Sequence, residues 1–481
     1  MSKSLLRRRP PWTSGLASAV RARHGSTKAY IALGSNVGNR IGEIEKACRE
    51  MDRRGIRVRR TSSLWETPPM YVTDQDRFIN GACEVETTLD PLGLLDELQQ
   101  IERDMGRRKI VDKGPRNIDL DILLYGQDSV SSDRLTVPHA GIAEREFVLR
   151  PLAQLIPRMA LFTSQPGKVV EAYLSELPPL DEPLSSVTPL GPPPRCPSLT
   201  PLAPDRETQI MAILNLTPDS FSDGGRHGVD TLVSDVADMI SGGASIIDVG
   251  GQSTAPGRSP VSAEEEAARV LPAIELLRKM PETREAVISV DTYRASVAEQ
   301  AVAAGADMIN DVSAGRLDPA MLPTVARLGT TICLMHMRGT PQTMMRETEY
   351  GEGGVVPAVA SELLSRVAAA EEAGVRRWRI VVDPGIGFAK TTGQNLELLR
   401  RLDELRRWPG LDGLPWLVGA SRKTFVGKVT GEVAAHERIW GTAATVAAAV
   451  QGGVDVVRVH DAREMAKVAA MSDAIWRRRR R

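Results

Sequence analysis

Two aspartates, Asp119 and Asp121, stand two residues apart in the run Gly114-Pro-Arg-Asn-Ile-Asp119-Leu-Asp121-Ile-Leu-Leu. On a strand, residues i and i+2 share a face. Bare carboxylates are costly in apolar surroundings, so a pair kept there needs partners. One or two Mg2+ ions bridging a nucleotide's phosphates would suit it. Arg107, Arg116, His139 and Arg145 lie nearby in the sequence and could clamp phosphate oxygens. A second set lies further on. Asp291, Asn310 and Asp383 can pair with a flat heterocycle carrying N–H donors and ring acceptors. Lys423, Arg458 and His460 suit an anionic group such as phosphate. Asn215 could give Mg2+ a neutral oxygen. These types suggest departure of a phosphorylated group, with cations and metal stabilising the developing charge.

A repeating pattern determines where the second set would meet. Eight short β-branched runs (210–216, 245–249, 287–291, 308–312, 331–335, 380–383, 416–418 and 455–459) are each followed by a helical stretch. Glycines precede several of them, at Gly242-Gly243, Gly305, Gly374 and Gly452-Gly453, where a left-handed cap would stop a helix before the next strand. Eight such units over 208–476 are what an α/β (β/α)8 TIM barrel requires. The runs end in or beside Asn215, Asp248, Asp291, Asn310, His336, Asp383, Lys423, and Arg458 with His460. A barrel collects strand C-termini on one face, so one shared pocket is predicted. In the first half, 29–33 reads as a strand entering Gly34-Ser-Asn-Val-Gly-Asn39, which lacks the Gly-Lys-Ser/Thr ending of a Walker A loop.

With 42% hydrophobic and 25% charged residues, the 481-residue chain has globular composition and room for two or three domains. No apolar run nears the roughly 20 residues of a membrane-spanning helix. Lys+Arg and Asp+Glu balance at 61 each and aromatics are 4%, which argues against a nucleic-acid partner. Cys48, Cys83, Cys196 and Cys333 form no CxxC pair, so neither a zinc ribbon nor a disulfide framework is expected. Prolines crowd residues 178–207, predicting a stiff spacer between domains at 29–177 and 208–476. Residues 1–42 hold eight Lys/Arg and no acid, a composition that resembles a mitochondrial or plastid transit peptide, placed at 1–28. A mitochondrial matrix location is expected, with plastid or cytosol as alternatives. Residues 477–481 are all arginine and read as a solvated tail.

The second half resembles dihydropteroate synthase over essentially all of 208–476. The marks are Asn215-Leu-Thr-Pro-Asp-Ser-Phe-Ser-Asp-Gly-Gly225, Ile247-Asp-Val-Gly-Gly-Gln-Ser-Thr254, Ser289-Val-Asp-Thr292, Ile309-Asn-Asp311, Met335-His-Met337, Asp383-Pro-Gly-Ile-Gly-Phe388, Ser421-Arg-Lys423 and Arg458-Val-His460, in that order. The resemblance implies that 6-hydroxymethyl-dihydropterin diphosphate condenses with p-aminobenzoate. It implies pterin contacts from Asp291, Asn310, Asp383 and Lys423. Asn215, Arg458 and His460 would hold the diphosphate, with Mg2+ at Asn215. Thr254, Phe388 and Ser421 would lie near p-aminobenzoate, and a loop around Asp219 and Phe221 would close over the site. Where the family usually shows Ser-Thr-Arg-Pro, this chain has Ser253-Thr254-Ala255-Pro256, so an anion contact is expected to be missing unless Arg258, three residues on, takes its place.

The first half resembles 6-hydroxymethyl-dihydropterin pyrophosphokinase over most of 29–177. It carries Ala32-Leu-Gly-Ser-Asn36, Thr67-Pro-Pro69, Phe78-Ile-Asn80, the 114–121 run, Val137-Pro-His139 and Arg145-Glu-Phe147. This implies an α+β ferredoxin-like fold and transfer of diphosphate from ATP, the co-substrate, to the pterin. Asp119 and Asp121 would be Mg2+ ligands, and Arg107, Arg116, His139 and Arg145 ATP-phosphate contacts. Thr67, Pro68, Phe78, Asn80 and Phe147 would form the pterin slot. Lys113 stands where the family often has an aromatic residue. Asp119, Asp121, Arg107, Arg116, Lys423, Arg458 and His460 are thus the expected catalytic residues. Small-molecule substrates and, by family expectation, a homodimer through the barrel are the partners. The alternatives are a fusion with one silent half, or a different pterin-binding barrel such as a folate-dependent methyltransferase domain.

Overall fold

The protein is represented by a computed structural model that describes residues 25–70, 74–107, 114–180, 182–191, 197–216, 226–252 and 260–477. The first half is built on strands β1 (Thr27–Ser35), β2 (Arg57–Thr61), β3 (Leu64–Thr67), β4 (Phe78–Thr87) and β5 (Asp119–Tyr125), with a small ribbon of β6 (Val130–Ser131) and β7 (Thr136–Val137). β1 lies between β4 and β5, antiparallel to both. Its alternation decides which layer covers which face. Ala29, Ile31 and Leu33 pack with Ile44, Met51, Leu94 and Leu98 of helices Arg40–Arg53 and Pro91–Asp104. Tyr30 faces the other way, onto Val148, Leu149 and Leu152 of helix Glu146–Leu155. The expected α+β ferredoxin-like domain is found.

The stretch read as a spacer is partly structured. β8 (Ser185–Pro189) pairs with β3, and β9 (Ser198–Leu199) pairs with β8, extending the first domain's sheet. The prolines do not prevent this, because both are short strands at the sheet margin, where few backbone donors are needed.

The second half forms eight parallel strands: β10 (Gln209–Asn215), β11 (Ile246–Gly250), β12 (Val287–Asp291), β13 (Met308–Asp311), β14 (Thr331–Met335), β15 (Ile380–Asp383), β16 (Leu417–Val418) and β17 (Val456–Val459). Their order is β15-β14-β13-β12-β11-β10-β17-β16, and a parallel bridge between Val382 and Trp416 closes the ring. This is the TIM barrel. One side chain from each strand (Met211, Ile246, Val287, Met308, Cys333, Val381, Leu417, Val456) makes an apolar layer near the strand N-termini, and Leu190 and Leu199 complete it. The proline-rich stretch therefore plugs the floor of the barrel. A barrel residue returns the contact: Trp378 is fully buried in the first domain's core, while its indole N–H and Arg379 both bond Glu45. Of the run read as a solvated tail only Arg477 is among the described residues, and it departs from that reading. Its side chain is buried, pairs with Asp473 at 3.0 Å and bonds the Val454 carbonyl.

Candidate functional site

Two cavities hold almost every residue the sequence singles out. The first, about 180 Å3, opens on the β1–β4–β5 surface and is lined by Thr67, Pro68, Phe78, Asn80, Arg116, Asp119, Asp121, His139, Arg145 and Phe147. β5 delivers Asp119 and Asp121 to the same face, as their i,i+2 spacing requires. Arg107 and Arg116 grip Asp119 from either side, at 2.8 and 3.0 Å. Arg107 is not itself in the cavity lining, and also pairs with Glu102, which burial pushes up to about 7. Asp121 is raised by burial first and by neighbouring Asp119 second. Two crowded carboxylates facing one cleft are a donor set whose repulsion a divalent cation would relieve. Asn80 donates to Thr67 Oγ1 at 2.7 Å, and the Arg116 guanidinium stands 5.5 Å from the Phe78 ring.

Asn36, the last residue of the Ala32-Leu-Gly-Ser-Asn36 motif, has a role that its local sequence does not signal. Its side-chain oxygen accepts from Arg116 N at 2.8 Å, and its own N–H donates to the Arg116 carbonyl at 3.1 Å. It thereby ties the end of β1 to the loop that presents Arg116 and Asp119.

The second cavity, about 710 Å3, is at the C-terminal mouth of the barrel. Asn215, Asp291, Asn310, Asp383, Phe388, Ser421, Lys423, Arg458 and His460 all line it. The register explains this convergence. Counting two and four residues on from the apolar floor layer reaches Ile213 and Asn215, Asp291, Asn310, Asp383, Ser421, and Arg458 with His460, each on the interior parity of its strand. His336 has the opposite parity, three on from Cys333. It lies outside this cavity, against Glu362, and corrects the expectation that every strand end faces one pocket.

Arg458 donates to Asp248 at 2.6 Å and to Asp291 at 2.7 Å, and Asn310 donates to Asp248 at 3.0 Å. Asp248 is fully buried and does not line the cavity. It is the residue from which a cation and an amide of the mouth both hang. Burial pushes Asp291 up to about 7 against the pull of Arg458, and raises Asp383. One oxygen of Asp291 has no hydrogen-bond partner among the described residues, leaving an acceptor for a ligand N–H. Lys423 bonds the Ile386 carbonyl, with its ammonium 4.4 Å from the Phe388 ring, and burial lowers it to about 8. Gly387 has φ +85°, and a Cβ there would meet Lys423 Cδ at 2.6 Å, so glycine is what lets this lysine pass. Ser421 Oγ lies 3.0 Å from His460 Nδ1, and burial holds His460 down at about 4. Asn215 is an exposed single donor, and a cation there would take its remaining ligands from bound substrate. Among the described residues no group of three or more His, Cys, Asp or Glu could hold a metal. Thr254, Ala255, Arg258, Lys113, Asp219 and Phe221 lie outside the described residues.

This is the layout of a two-site enzyme, one cleft on an antiparallel sheet and one mouth on a parallel barrel. The family models that match are a 7,8-dihydro-6-hydroxymethylpterin-pyrophosphokinase over residues 30–157 and a pterin binding enzyme over 211–460. The chain is 43% identical to a mitochondrial folate synthesis bifunctional protein of Arabidopsis thaliana, over 97% of this chain and 86% of that one. It is 48% identical to a folic acid synthesis protein of Pneumocystis carinii, over 93% of this chain but 60% of the other's length. A solved Plasmodium falciparum HPPK-DHPS bound to pteroate shares the fold, with a TM-score of 0.79 at 21% identity over 94% of this chain and 97% of that one. The chain belongs to the bifunctional folate synthesis proteins, with a pyrophosphokinase domain followed by a pterin-binding barrel.

Proposed function

We propose that the chain carries out two consecutive steps of folate synthesis. In the first domain, the hydroxymethyl oxygen of 6-hydroxymethyl-7,8-dihydropterin attacks the β-phosphorus of ATP. The hydroxyl proton is lost, the α–β bridge breaks and AMP leaves. Phe78, Phe147, Thr67, Pro68 and Asn80 hold the pterin, and Arg107, Arg116, His139 and Arg145 take phosphate oxygens. Asp119 and Asp121 would hold Mg2+, which supplies charge neutralisation along the phosphates.

In the barrel, the pterin diphosphate loses its methylene C–O bond and p-aminobenzoate nitrogen forms the new C–N bond, giving up one proton. The products are 7,8-dihydropteroate and diphosphate. Asp291, Asn310, Asp383 and Lys423 grip the pterin. Arg458 and His460 face the leaving anion, Asn215 would offer the metal a ligand, Phe388 and Ser421 take the arylamine side, and Thr254 is assigned to the arylamine by the family resemblance alone. The observation that carries the reading is the convergence of five strand-borne polar residues, Asn215, Asp291, Asn310, Asp383 and Arg458, on one mouth while a paired-aspartate cleft stands on the other domain. The test is Asp119→Ala with Asp121→Ala: ATP-dependent AMP release should vanish while supplied pterin diphosphate is still converted. Retained AMP release would overturn the metal and nucleotide assignment.

A homodimer through the barrel is part of this proposal. Val429, Val433, Trp440, Met471 and Ile475 are exposed on or beside adjacent helices Thr424–Thr430, Ile439–Gln451 and Ala462–Trp476, which supports a homodimer through the barrel. Trp440→Glu should shift sedimentation toward the monomer. No helix among the described residues is long and apolar enough to cross a membrane. The basic, acid-free residues 1–42 support a mitochondrial matrix address, which import and N-terminal processing of a tagged chain would test.

A further inference from the structure

Lys390 lines the barrel cavity but is not among the residues its chemistry singles out. Its side chain is buried, and Nζ makes three hydrogen bonds: to the carbonyls of Gly385 and Phe388, each at 3.0 Å, and to His336 Nδ1 at 2.9 Å. The other ring nitrogen of His336 lies 3.0 Å from Glu362 Oε2. A carboxylate can only accept, so His336 donates from Nε2 and accepts at Nδ1, and the third Lys390 proton points at it. Glu362 opens onto a separate cavity of about 400 Å3 outside the barrel, where Arg338 pairs with it. A hydrogen-bonded series thus runs from the catalytic wall to that outer cavity.

What hangs from Lys390 is the wall itself. The turn from Asp383 to Lys390 supplies the carboxylate of Asp383, the Ile386 carbonyl that receives Lys423, and the Phe388 ring beneath it. Its backbone enters the left-handed region three times, free of strain at the two glycines and strained at the alanine. Gly385 and Gly387 have φ of +68° and +85°, and Ala389, which has a Cβ, sits at +51°. Such a turn persists only when its surroundings over-determine it. The Lys390 bonds to Gly385 and Phe388 fasten this turn, and Tyr350 donates to the Ala389 carbonyl at 3.0 Å.

We propose that Lys390 is a positioning residue of the barrel reaction. In its charged form it holds the 383–390 turn, and with it Phe388 and Lys423, in place for the arylamine, while the His336–Glu362 pair keeps it charged. The proposal rests on the dihydropteroate reading given above. A neutral amine has two N–H donors for the same three acceptors, so deprotonation releases one leg of the clamp. Burial lowers Lys390 to about 7, with Lys423 and Arg338 acting in the same direction and Asp383 and Glu362 opposing. His336, held near 4 by burial, stays neutral throughout.

Glu362→Gln removes one charge that favours the ammonium and touches nothing in the cavity lining. In the parent chain, kcat/KM for p-aminobenzoate should fall on the alkaline side, through KM more than kcat. In Glu362→Gln that limb should move about 0.5–1 pH unit lower, with the acid plateau kept. A limb due to Lys423 would not move, since Glu362 is not among the groups that shift it. Hydrogen–deuterium exchange of the 385–391 amides should show the same shift without any turnover. Lys390→Met should abolish the limb. If that variant fails to fold, Glu362→Gln still decides. Superimposable pH profiles and exchange curves for parent and Glu362→Gln would overturn the proposal. A parent chain that forms no dihydropteroate would sink the functional reading, and the exchange experiment would still rule on the clamp.

Discussion

Arg458 Nη2 lies 2.7 Å from Asp291 Oδ2, joining the residue expected at the leaving anion to one expected at the pterin ring. The two ends of the proposed ligand are therefore read by one buried ion pair. Asp248, at 2.6 Å from Arg458 Nε, fixes the guanidinium from below. Both acids hold Arg458 well above its ordinary range, so it stays charged at any working pH. Breaking a buried pair by removing one partner commonly costs about 3–5 kcal/mol, because the other charge stays buried.

Asp248→Ala should accordingly lower the barrel's unfolding free energy by roughly that amount. It should also cut kcat/KM for pterin diphosphate by about 10²-fold, as expected when a cation is misplaced by an ångström. AMP release by the first domain at ambient temperature should be unchanged. Urea unfolding and the two separate assays check this, and a variant with full barrel activity would deny Asp248 its part.

Lys423→Ala removes the ammonium above Phe388 and should abolish dihydropteroate formation while leaving AMP production intact. Equal loss of both activities would indicate general misfolding.

Leu190→Ala and Leu199→Ala open the floor of the barrel from outside the barrel sequence. Each should destabilise by about 2–5 kcal/mol, the usual cost of emptying a buried leucine site. Trp378→Ala empties the first domain's core from the barrel side and should cost about 3–5 kcal/mol. If the halves are coupled as this packing implies, the Trp378→Ala midpoint should fall for both activities together on heating. Loss of only the barrel activity would contradict the coupling.

His336 is lowered by burial from 6.5 to about 4, which gives the stability a pH dependence of known sign. Between those values the unfolded chain binds the proton and the folded chain does not, so stability is full above about 6.5 and is lost as pH falls toward 4. At pH 5.5 the loss from this group is on the order of 1 kcal/mol. Urea midpoints at pH 7.5 and 5.5 should therefore converge in His336→Gln relative to the parent. An unchanged difference would show that His336 is not the titrating group.

Much of this architecture was legible in advance. Strand–helix alternation with glycine stops gives the barrel, because each run is short and apolar and each glycine ends a helix. The i,i+2 aspartates give the first cleft. What escaped was the parity within each strand. Asp248 and His336 both read as strand ends, yet one lies beneath the mouth and the other outside it, and only the register against the floor layer separates them. The part played by Asn36 is not legible in its local sequence, since its work is a hydrogen bond across 80 positions. The proline-rich stretch misled because composition reports stiffness and not what a stiff segment packs against. Leu190 and Leu199 find their partners only once the barrel has closed.

The central claim is that one chain converts hydroxymethyl-dihydropterin to dihydropteroate through a diphosphate made at its own first site. The most direct measurement supplies purified protein with that pterin, ATP, Mg2+ and p-aminobenzoate and counts products. AMP, diphosphate and dihydropteroate should appear in equal amounts, and omitting p-aminobenzoate should stop diphosphate release but not AMP. ATP cleaved to ADP, or dihydropteroate absent while AMP accumulates, would contradict the account.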